Sequence, residues 1–387
     1  MTLSVKISAV AAATVIATIL AAPQGFAHED ISHYLFVPNR TSADVAVIDT
    51  HGDRVIARIA VGNVPHQVVA SVALGKLIVS NTADDTVSII DAATFETLAT
   101  VALDIEPEHM AVSPNGEILA VGNIGAGTVS LLSLVDNRET ARIGGLFEPH
   151  NLTFSRDGAL LYVANLGANH VGVIDVADGV LIGEIPVADP TAIGSRAPGE
   201  SYQGIINVTR TLDGRLGFAV HGESDSLTVI DLDNRETVKR IALGDLPWRA
   251  YASTDGRYMV TPNNGDRTVS VVSTVTLEVV ATLPGAADMT GVNFTRDGTT
   301  AYVVSRGEHK LVVLDLAAMK RVGEIALPSS PETAVVTPDG DKLYVALSGS
   351  DQIAVIDPTA RALIATIDDV GSEPWGVTMT SAANYCH

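Results

Sequence analysis

One phrase recurs along this chain of 387 residues and constrains its fold more than any other feature. Each copy joins an aliphatic segment that ends in Asn or a small residue, a polar turn and a second segment of the type V-x-V-I-D, as in LYVANLGANHVGVID at 161–175. The residues that close the second segment are Asp49, Asp91, Ser133, Asp175, Asp231, Ser273, Asp315 and Asp357. They are spaced by 42 residues, except for one step of 56 between the fourth and the fifth. The chain therefore contains eight copies of one unit and one insertion of about 14 residues.

Each copy holds four short segments rich in Val, Ile and Thr, separated by turns that contain Gly and Asp. Eight such units predict an all-β fold, an eight-bladed β-propeller of four-stranded antiparallel blades. The first segment, His33–Asn39, has the pattern of a second strand, and the last, Pro374–Thr380, has the pattern of a first strand. We therefore expect the C-terminal strand to complete the first blade and close the ring. A solenoid is the alternative, but neither end resembles a polar capping repeat.

The N-terminal residues have the form of an export signal. Lys6 precedes an apolar run, Ala9 to Ala22. The small residues Gly25 and Ala27 occupy the −3 and −1 positions of a signal-peptidase cleavage site. The run is shorter than the roughly 20 residues that span a bilayer, so an uncleaved anchor is the less favoured alternative. The sequence predicts a signal peptide at 1–27 and a single propeller domain at 28–387, with an insertion at about 187–204. The mature protein is expected to be periplasmic and not membrane-spanning.

Charge and cysteine content exclude some classes of protein. The formal net charge of −21 argues against a nucleic-acid partner, because phosphate binding needs clustered Lys and Arg. The one cysteine, Cys386, leaves no pair for an intrachain disulfide. Stability must therefore come from burial and from strand pairing.

The repeat LYVANLGANHVGVID and its siblings resemble the YVTN-type propeller repeats of exported bacterial and archaeal proteins, over essentially all of the mature chain. With eight blades, the predicted propeller also resembles that of periplasmic haem-containing nitrite reductases and of related haem-handling proteins. This resemblance implies a haem-like ligand and a periplasmic redox protein as partner. The repeat itself specifies a fold and not a function. The haem-attachment motif C-x-x-C-H is missing, and the terminal NYCH supplies only its last half.

The eight first strands, aligned on their closing Ser or Thr, differ most at two successive positions. The first position holds His66, Glu108, His150, Ile206, Trp248, Thr290, Glu332 and Trp375. The second holds Gln67, His109, Asn151, Asn207, Arg249, Gly291, Thr333 and Gly376. Both positions are expected at one mouth of the central channel, where the insertion would form a lid and where loops are free to vary. His221, in FAVHGES, is interpreted as replacing the residue before the usual Asn on a neighbouring loop.

These side chains suggest two kinds of ligand. Neutral imidazoles with carboxylates bind Cu, Zn or Fe. The candidate metal ligands are His66, Glu108, His109, His150 and His221. Tryptophans with an arginine could instead enclose a flat organic cofactor and pair with its carboxylate. The candidate cofactor contacts are Trp248, Arg249, Trp375 and Glu332. The alternative is that the ring residues merely plug a wide channel.

Three functions are compatible with this sequence. The favoured one is a periplasmic propeller that binds a metal or a flat organic cofactor, in or accessory to redox metabolism. The others are a non-catalytic interaction propeller of the cell envelope, and a hydrolase or lyase with Glu108 or Glu332 as general base, for which no diagnostic motif is present.

On the opposite face, His28, His33, Cys386 and His387 could together bind copper or zinc near the closure point, although two frayed termini are the simpler reading. His51 lies in a predicted turn on that face and is assigned no role.

Overall fold

The computed structural model describes residues 31–188 and 203–380. Within these ranges the chain forms eight four-stranded antiparallel sheets, which confirms the predicted eight-bladed propeller. The predicted signal peptide, most of the insertion (189–202) and the terminal residues 381–387, with Cys386 and His387, lie outside the described residues. Among the described residues no helix is long and apolar enough to cross a membrane.

The four strands of each blade follow one another from the channel outward. Blade 1 consists of β32 (Thr378–Met379), β1 (Tyr34–Asn39), β2 (Asp44–Asp49) and β3 (Arg54–Ala60). Blade 2 consists of β4 (Pro65–Ser71), β5 (Lys76–Asn81), β6 (Thr86–Asp91) and β7 (Thr97–Ala102). Blade 3 consists of β8 (Pro107–Val112), β9 (Ile118–Asn123), β10 (Thr128–Ser133) and β11 (Arg138–Ile143). Blade 4 consists of β12 (Pro149–Phe154), β13 (Leu160–Asn165), β14 (His170–Asp175) and β15 (Val180–Pro186).

The second half of the ring has the same arrangement. Blade 5 consists of β16 (Ile205–Arg210), β17 (Leu216–His221), β18 (Ser226–Asp231) and β19 (Glu236–Ala242). Blade 6 consists of β20 (Tyr251–Ala252), β21 (Tyr258–Asn263), β22 (Thr268–Ser273) and β23 (Val279–Pro284). Blade 7 consists of β24 (Met289–Phe294), β25 (Thr300–Ser305), β26 (Lys310–Asp315) and β27 (Lys320–Ala326). Blade 8 consists of β28 (Pro331–Val336), β29 (Leu343–Leu347), β30 (Gln352–Asp357) and β31 (Ala362–Ile367). Short 3-10 turns occupy Val72–Leu74, Thr82–Asp84 and Gly222–Ser224.

The apolar core lies between successive blades. The middle strands are covered on both faces, so they read as nearly continuous apolar runs, as in β13. The outer strands are exposed at alternate residues or more often, as in β7. One core cluster joins Val269 and Val271 of blade 6 to Val303 and Leu314 of blade 7. Each blade is therefore stabilised by burial against its neighbours.

Hydroxyl side chains join the first strands of neighbouring blades across the channel wall. Thr209 Oγ1 donates to the carbonyl of Ala250 at 2.7 Å, and Thr290 Oγ1 donates to the carbonyl of Glu332 at 2.6 Å. Buried polar groups are expected to be paired in this way when no backbone ladder reaches them. These bonds tie the inner strands into a ring that can position side chains at its mouth.

The ring closes as the sequence predicts. In blade 1, β32 pairs with β1 through Leu35–Met379 and Phe36–Thr378. The Trp375 N–H donates to the carbonyl of Pro38 at 3.0 Å and extends the contact toward the channel mouth. The first blade therefore combines strands from both ends of the chain.

Candidate functional site

The variable residues at the channel mouth form a surface that we call the ring face, and they lie on irregularities in the first strands. In blade 2, Pro65 pairs with Asn81 and Val68 pairs with Val79, so β4 has one more residue than β5 over this stretch. The same shift occurs in β8 and β12, and in each case it contains the two ring positions. A bulge of this kind re-aims side chains and leaves the extra residue outside the ladder. It explains why both successive positions are free to carry functional groups.

The structure brings together the ring residues of blades 2, 3 and 4. Donor atoms of His66, Glu108 and His109 all lie within 4.8 Å of one another. His109 Nε2 is 3.0 Å from His150 Nε2 and 4.0 Å from Glu108 Oε2. The three imidazoles are buried. We call these four residues the ring cluster.

Close packing of the backbone helps to place His150. A Cβ atom built on Gly122 would lie 2.5 Å from the carbonyl oxygen of Pro149 and 3.2 Å from that of His150. Any side chain at residue 122 would therefore push β12 away from β9. This glycine is needed for the close approach of the two backbones and not for an unusual φ.

Burial sets the protonation of the ring cluster. Desolvation, followed by the charge of Arg249, lowers the pKa of His150 to about 3, so this ring is neutral near pH 7. His150 Nδ1 is 3.1 Å from the carbonyl oxygen of Ile206, which can only accept a hydrogen bond. Asn151 Nδ2, which can only donate, lies 3.0 Å from the same Nδ1, so these two neighbours do not fix the tautomer of His150, and one of the two Nε2 atoms of His109 and His150 donates the hydrogen bond between them. Burial also raises the pKa of Glu108 to about 6, although the positive charge of Arg40 opposes this rise.

Arg40, which follows β1, completes the ring face beside the cluster. Its Nη2 donates to His66 Nδ1 at 2.8 Å, and its guanidinium lies 3.3 Å from the centroid of the Trp375 ring. Arg40 is not among the predicted site residues, because it lies outside the two ring positions. A signal was present, because the residue one after the usual Asn is an arginine in only two repeats. The second of these, Arg306, donates to the ring residue Glu332 at 3.0 Å.

The other predicted site residues are not part of the ring cluster. The carboxylate of Glu332 accepts from Arg306 and from Ser348, so both its oxygens are bonded within the protein. Trp248 and Arg249 lie just before β20 in blade 6, and Trp375 lies before β32 in blade 1. Arg249 is buried. It lines a polar channel cavity of about 430 Å³ together with Asn151.

The position assigned to His221 was wrong by one residue. His221 ends β17 and pairs with Ser226, as Asn263 ends β21 and pairs with Thr268. It therefore replaces the usual Asn itself. Its Nε2 lies 2.8 Å from Asn169 Oδ1. In three other blades the Asn side chain bonds a hydroxyl of the following strand, as Asn263 does with Thr268, so this position is a structural one.

A family model described as YNCE-like beta-propeller matches residues 68–272 and, in a second alignment, 200–339. Among curated proteins, the seven-bladed beta-propeller protein Rv1057 of Mycobacterium tuberculosis is 34% identical over 121 residues, or 30% of this chain and 31% of that protein. An uncharacterized WD repeat-containing protein of Synechocystis, sll1491, is 32% identical over 153 residues, or 38% of this chain and 43% of that protein. The chain thus spans less than half the length of these curated relatives.

Solved structures share the fold at low identity. The dihydro-heme d1 dehydrogenase NirN, in complex with DHE, superposes with a TM-score of 0.73 at 17% identity, over 91% of this chain and 76% of that one. Hydrazine synthase of Kuenenia stuttgartiensis superposes with a TM-score of 0.58 at 22% identity, over 76% of this chain and 95% of that one. Both likenesses concern the fold alone.

Proposed function

The chain belongs to the YNCE-like β-propeller family, and we propose its function from its own ring face because a shared fold does not determine a function. The protein binds one transition-metal ion through the ring cluster. The observation that carries this proposal is the convergence of His66, Glu108 and His109, whose donor atoms lie within 4.8 Å of one another. The protein would act in the periplasm, in or accessory to redox metabolism. The bound ion would supply either a Lewis acid or an electron-transfer centre.

The donor set fits a borderline metal. Imidazole suits Zn, Cu and Fe, whereas Ca and Mg prefer sites made only of oxygen atoms. Zn–N bonds of about 2.0–2.1 Å place two ligand atoms roughly 3.4 Å apart, so the cluster needs to contract by about 1 Å. The nitrogens of His109 and His150, 3.0 Å apart, are already close. The proton between these two nitrogens is the one that a metal ion would displace.

Two positive charges oppose a cation at the ring cluster: that of Arg249, which acts on His150, and that of Arg40. The guanidinium of Arg40 contacts His66 directly, and its positive charge repels a metal ion at this distance. The repulsion is opposed by the carboxylate of Glu108, which metal binding would keep ionised. Arg40 therefore lowers the affinity of the site without removing any of its donor atoms.

A flat organic cofactor, such as a haem-like ligand, is a second candidate. Trp375 favours it, because an indole beside the cluster could stack on a planar ligand. The structure favours it less than a metal, since Arg40 covers one face of Trp375 and Trp248 lies in a different part of the ring. A docking surface for another protein of the cell envelope is the remaining alternative.

The test is to titrate tag-free, metal-free protein with Zn, Cu or Co, to measure binding by calorimetry, and to measure the bound metal by elemental analysis. We expect the His66→Ala/His109→Ala double variant to bind one equivalent fewer than the unaltered protein. The matched control is His221→Asn, which restores the residue of the other blades and should bind as before. If the double variant keeps every equivalent, the ring cluster is a plug.

The same preparation separates a metal from an organic ligand. Trp375→Ala and Trp248→Ala should each weaken a flat organic ligand by about 1–3 kcal/mol, and should leave the affinity for a bare ion unchanged. A visible absorption band that the tryptophan variants lose would favour the haem-like cofactor over the metal.

A further inference from the structure

A second group of metal-ligand side chains lies on the face opposite the ring face, within blade 1. His33 immediately precedes β1, Asp49 ends β2, and His51 lies in the turn between β2 and β3. Their donor atoms all lie within 4.8 Å of one another. The two imidazole centroids are 4.7 Å apart, and His51 Nδ1 is 3.4 Å from Asp49 Oδ1. We propose that these residues form a second transition-metal site, separate from the ring cluster.

The carboxylate of this group is already fixed by its turn. Asp49 Oδ1 accepts the N–H of His51 at 3.1 Å, and Asp91 Oδ1 accepts the N–H of Ala93 at 2.9 Å in the next blade. The same Asx turn forms at Asp315 and Asp357, whereas two other repeats close this strand with Ser. In these four blades the turn presents a carboxylate oxygen beside the residue two positions later.

The two histidines are specific to blade 1. At the position of His51 the seven other repeats carry Ala, Val, Asp or Thr, and at that of His33 they carry Gly, Glu, Ala, Arg, Thr or Asp. All eight of these turns lie within the described ranges. Blade 1 is thus the one repeat among them in which two imidazoles accompany the turn carboxylate.

Neighbouring groups hold the backbone that carries the three ligands. Thr50 donates to the carbonyl of His33 through its N–H at 3.2 Å and through Oγ1 at 2.6 Å. Lys342, from blade 8, donates to the carbonyl of Thr50 at 2.8 Å. Its positive charge is paired with Asp53 at 2.7 Å, so it does not oppose a cation at His33 and His51. These bonds restrain the backbone of the site, which reduces the entropy lost on binding.

Two imidazoles and one carboxylate on one side leave coordination positions open to water or to another molecule. The exposure of the ligands agrees with this, because the side chain of His51 is 76% exposed and that of Asp49 is 19% exposed. Such a site exchanges its ion with solvent more readily than the buried ring cluster. The donor set suits Cu(II), Ni(II) or Zn(II). The proposal of this second site does not depend on the proposed function of the ring cluster.

The experiment uses the tag-free mature chain with His66→Ala/His109→Ala, so that the ring cluster is disabled. Titration with Cu(II) or Zn(II) should show one equivalent, and the Cu(II) EPR spectrum should show coupling to imidazole nitrogen. His51→Asn and His33→Asn should each weaken binding at least tenfold. His51 is exposed, so its variant should fold, and an unchanged melting temperature without metal checks this.

The control is Ala93→His, which puts an imidazole beside Asp91 in a blade that lacks the second histidine. It should add no equivalent. If the His51→Asn protein binds Cu(II) as tightly as its parent, the ion is held elsewhere, for example by terminal residues, and the proposal is wrong. An additional equivalent in the Ala93→His protein would equally overturn it, because one turn histidine would then be sufficient.

Discussion

Replacing Glu108 by Gln should stabilise the metal-free protein near neutral pH, although it removes a proposed metal ligand. Burial raises the pKa of Glu108 from 4.5 to about 6, so the folded protein holds this proton more tightly than the unfolded chain does. The stability that this proton provides is fully present below about pH 4.5 and is lost as the pH rises through about 6. Above that range the free energy of unfolding is lower, because the folded protein carries a buried, ionised carboxylate.

The size of the effect follows from the same values. A pKa that rises from 4.5 to about 6 is a change of about 30-fold in proton affinity, or about 2 kcal/mol. The side chain is 21% exposed, which reduces the value only modestly. Gln has the shape of Glu and no charge. We expect Glu108→Gln to raise the free energy of unfolding by about 1–2 kcal/mol at pH 7.5.

The assay is denaturant unfolding of metal-free Glu108→Gln and parent protein at pH 4.5, 6 and 7.5, with the m value held common. The difference should be near zero at pH 4.5 and should grow toward pH 7.5. Added metal should reverse its sign, because an ion at 100 times its Kd for the parent stabilises the parent by about 2.7 kcal/mol and the variant, which has lost one ligand, by much less. A variant that is less stable at pH 7.5, with no dependence on pH, would refute the reasoning and would mean that Arg40 fully compensates the buried charge.

Two further predictions concern the closure of the ring by β32 and the positive charge of Arg40 beside the ring cluster. Deleting residues from Pro374 onward should expose the edge of β1 and yield aggregated protein in size-exclusion chromatography, and a monomer that melts cooperatively would contradict the role of β32. Arg40→Met should tighten metal binding at least tenfold, or about 1.4 kcal/mol by calorimetry, because it removes a positive charge from His66. Its control is Arg306→Met, which should lower stability but leave the metal affinity unchanged.

The fold could be predicted because its determinants are local and repeated. Each copy carries the apolar alternation and the turn residues that define its strands, so the spacing gave the number of blades and the pattern at Pro374–Thr380 gave the closure. The ring positions were visible for a related reason. Eight copies of one strand form an internal alignment, against which His66 or Trp375 differs from the aliphatic background.

The contacts within the site could not be predicted, because they depend on geometry that a strand pattern does not contain. The extra residue in β4, β8 and β12 re-aims two successive side chains, and alternation alone would send them to opposite sides. Long side chains also reach across blades. Arg306 neutralises Glu332 from the preceding blade, and Arg40 contacts His66 in the same way, so two similar ring positions acquire different chemistry.

Strand β1 connects the two candidate metal sites. His33 immediately precedes β1 on one face, and Arg40 follows it on the other. Six residues of strand separate the two ends by about 20 Å, a distance at which the charges of two bound ions are largely screened by salt. The two sites should therefore bind independently. Of the two sites, only the one at His33 has a ligand next to β1, and β1 is the strand on which β32 closes the ring. An ion at His33 would bind only the folded turn that carries Asp49 and His51, so by linkage it stabilises the blade that is assembled from both ends of the chain.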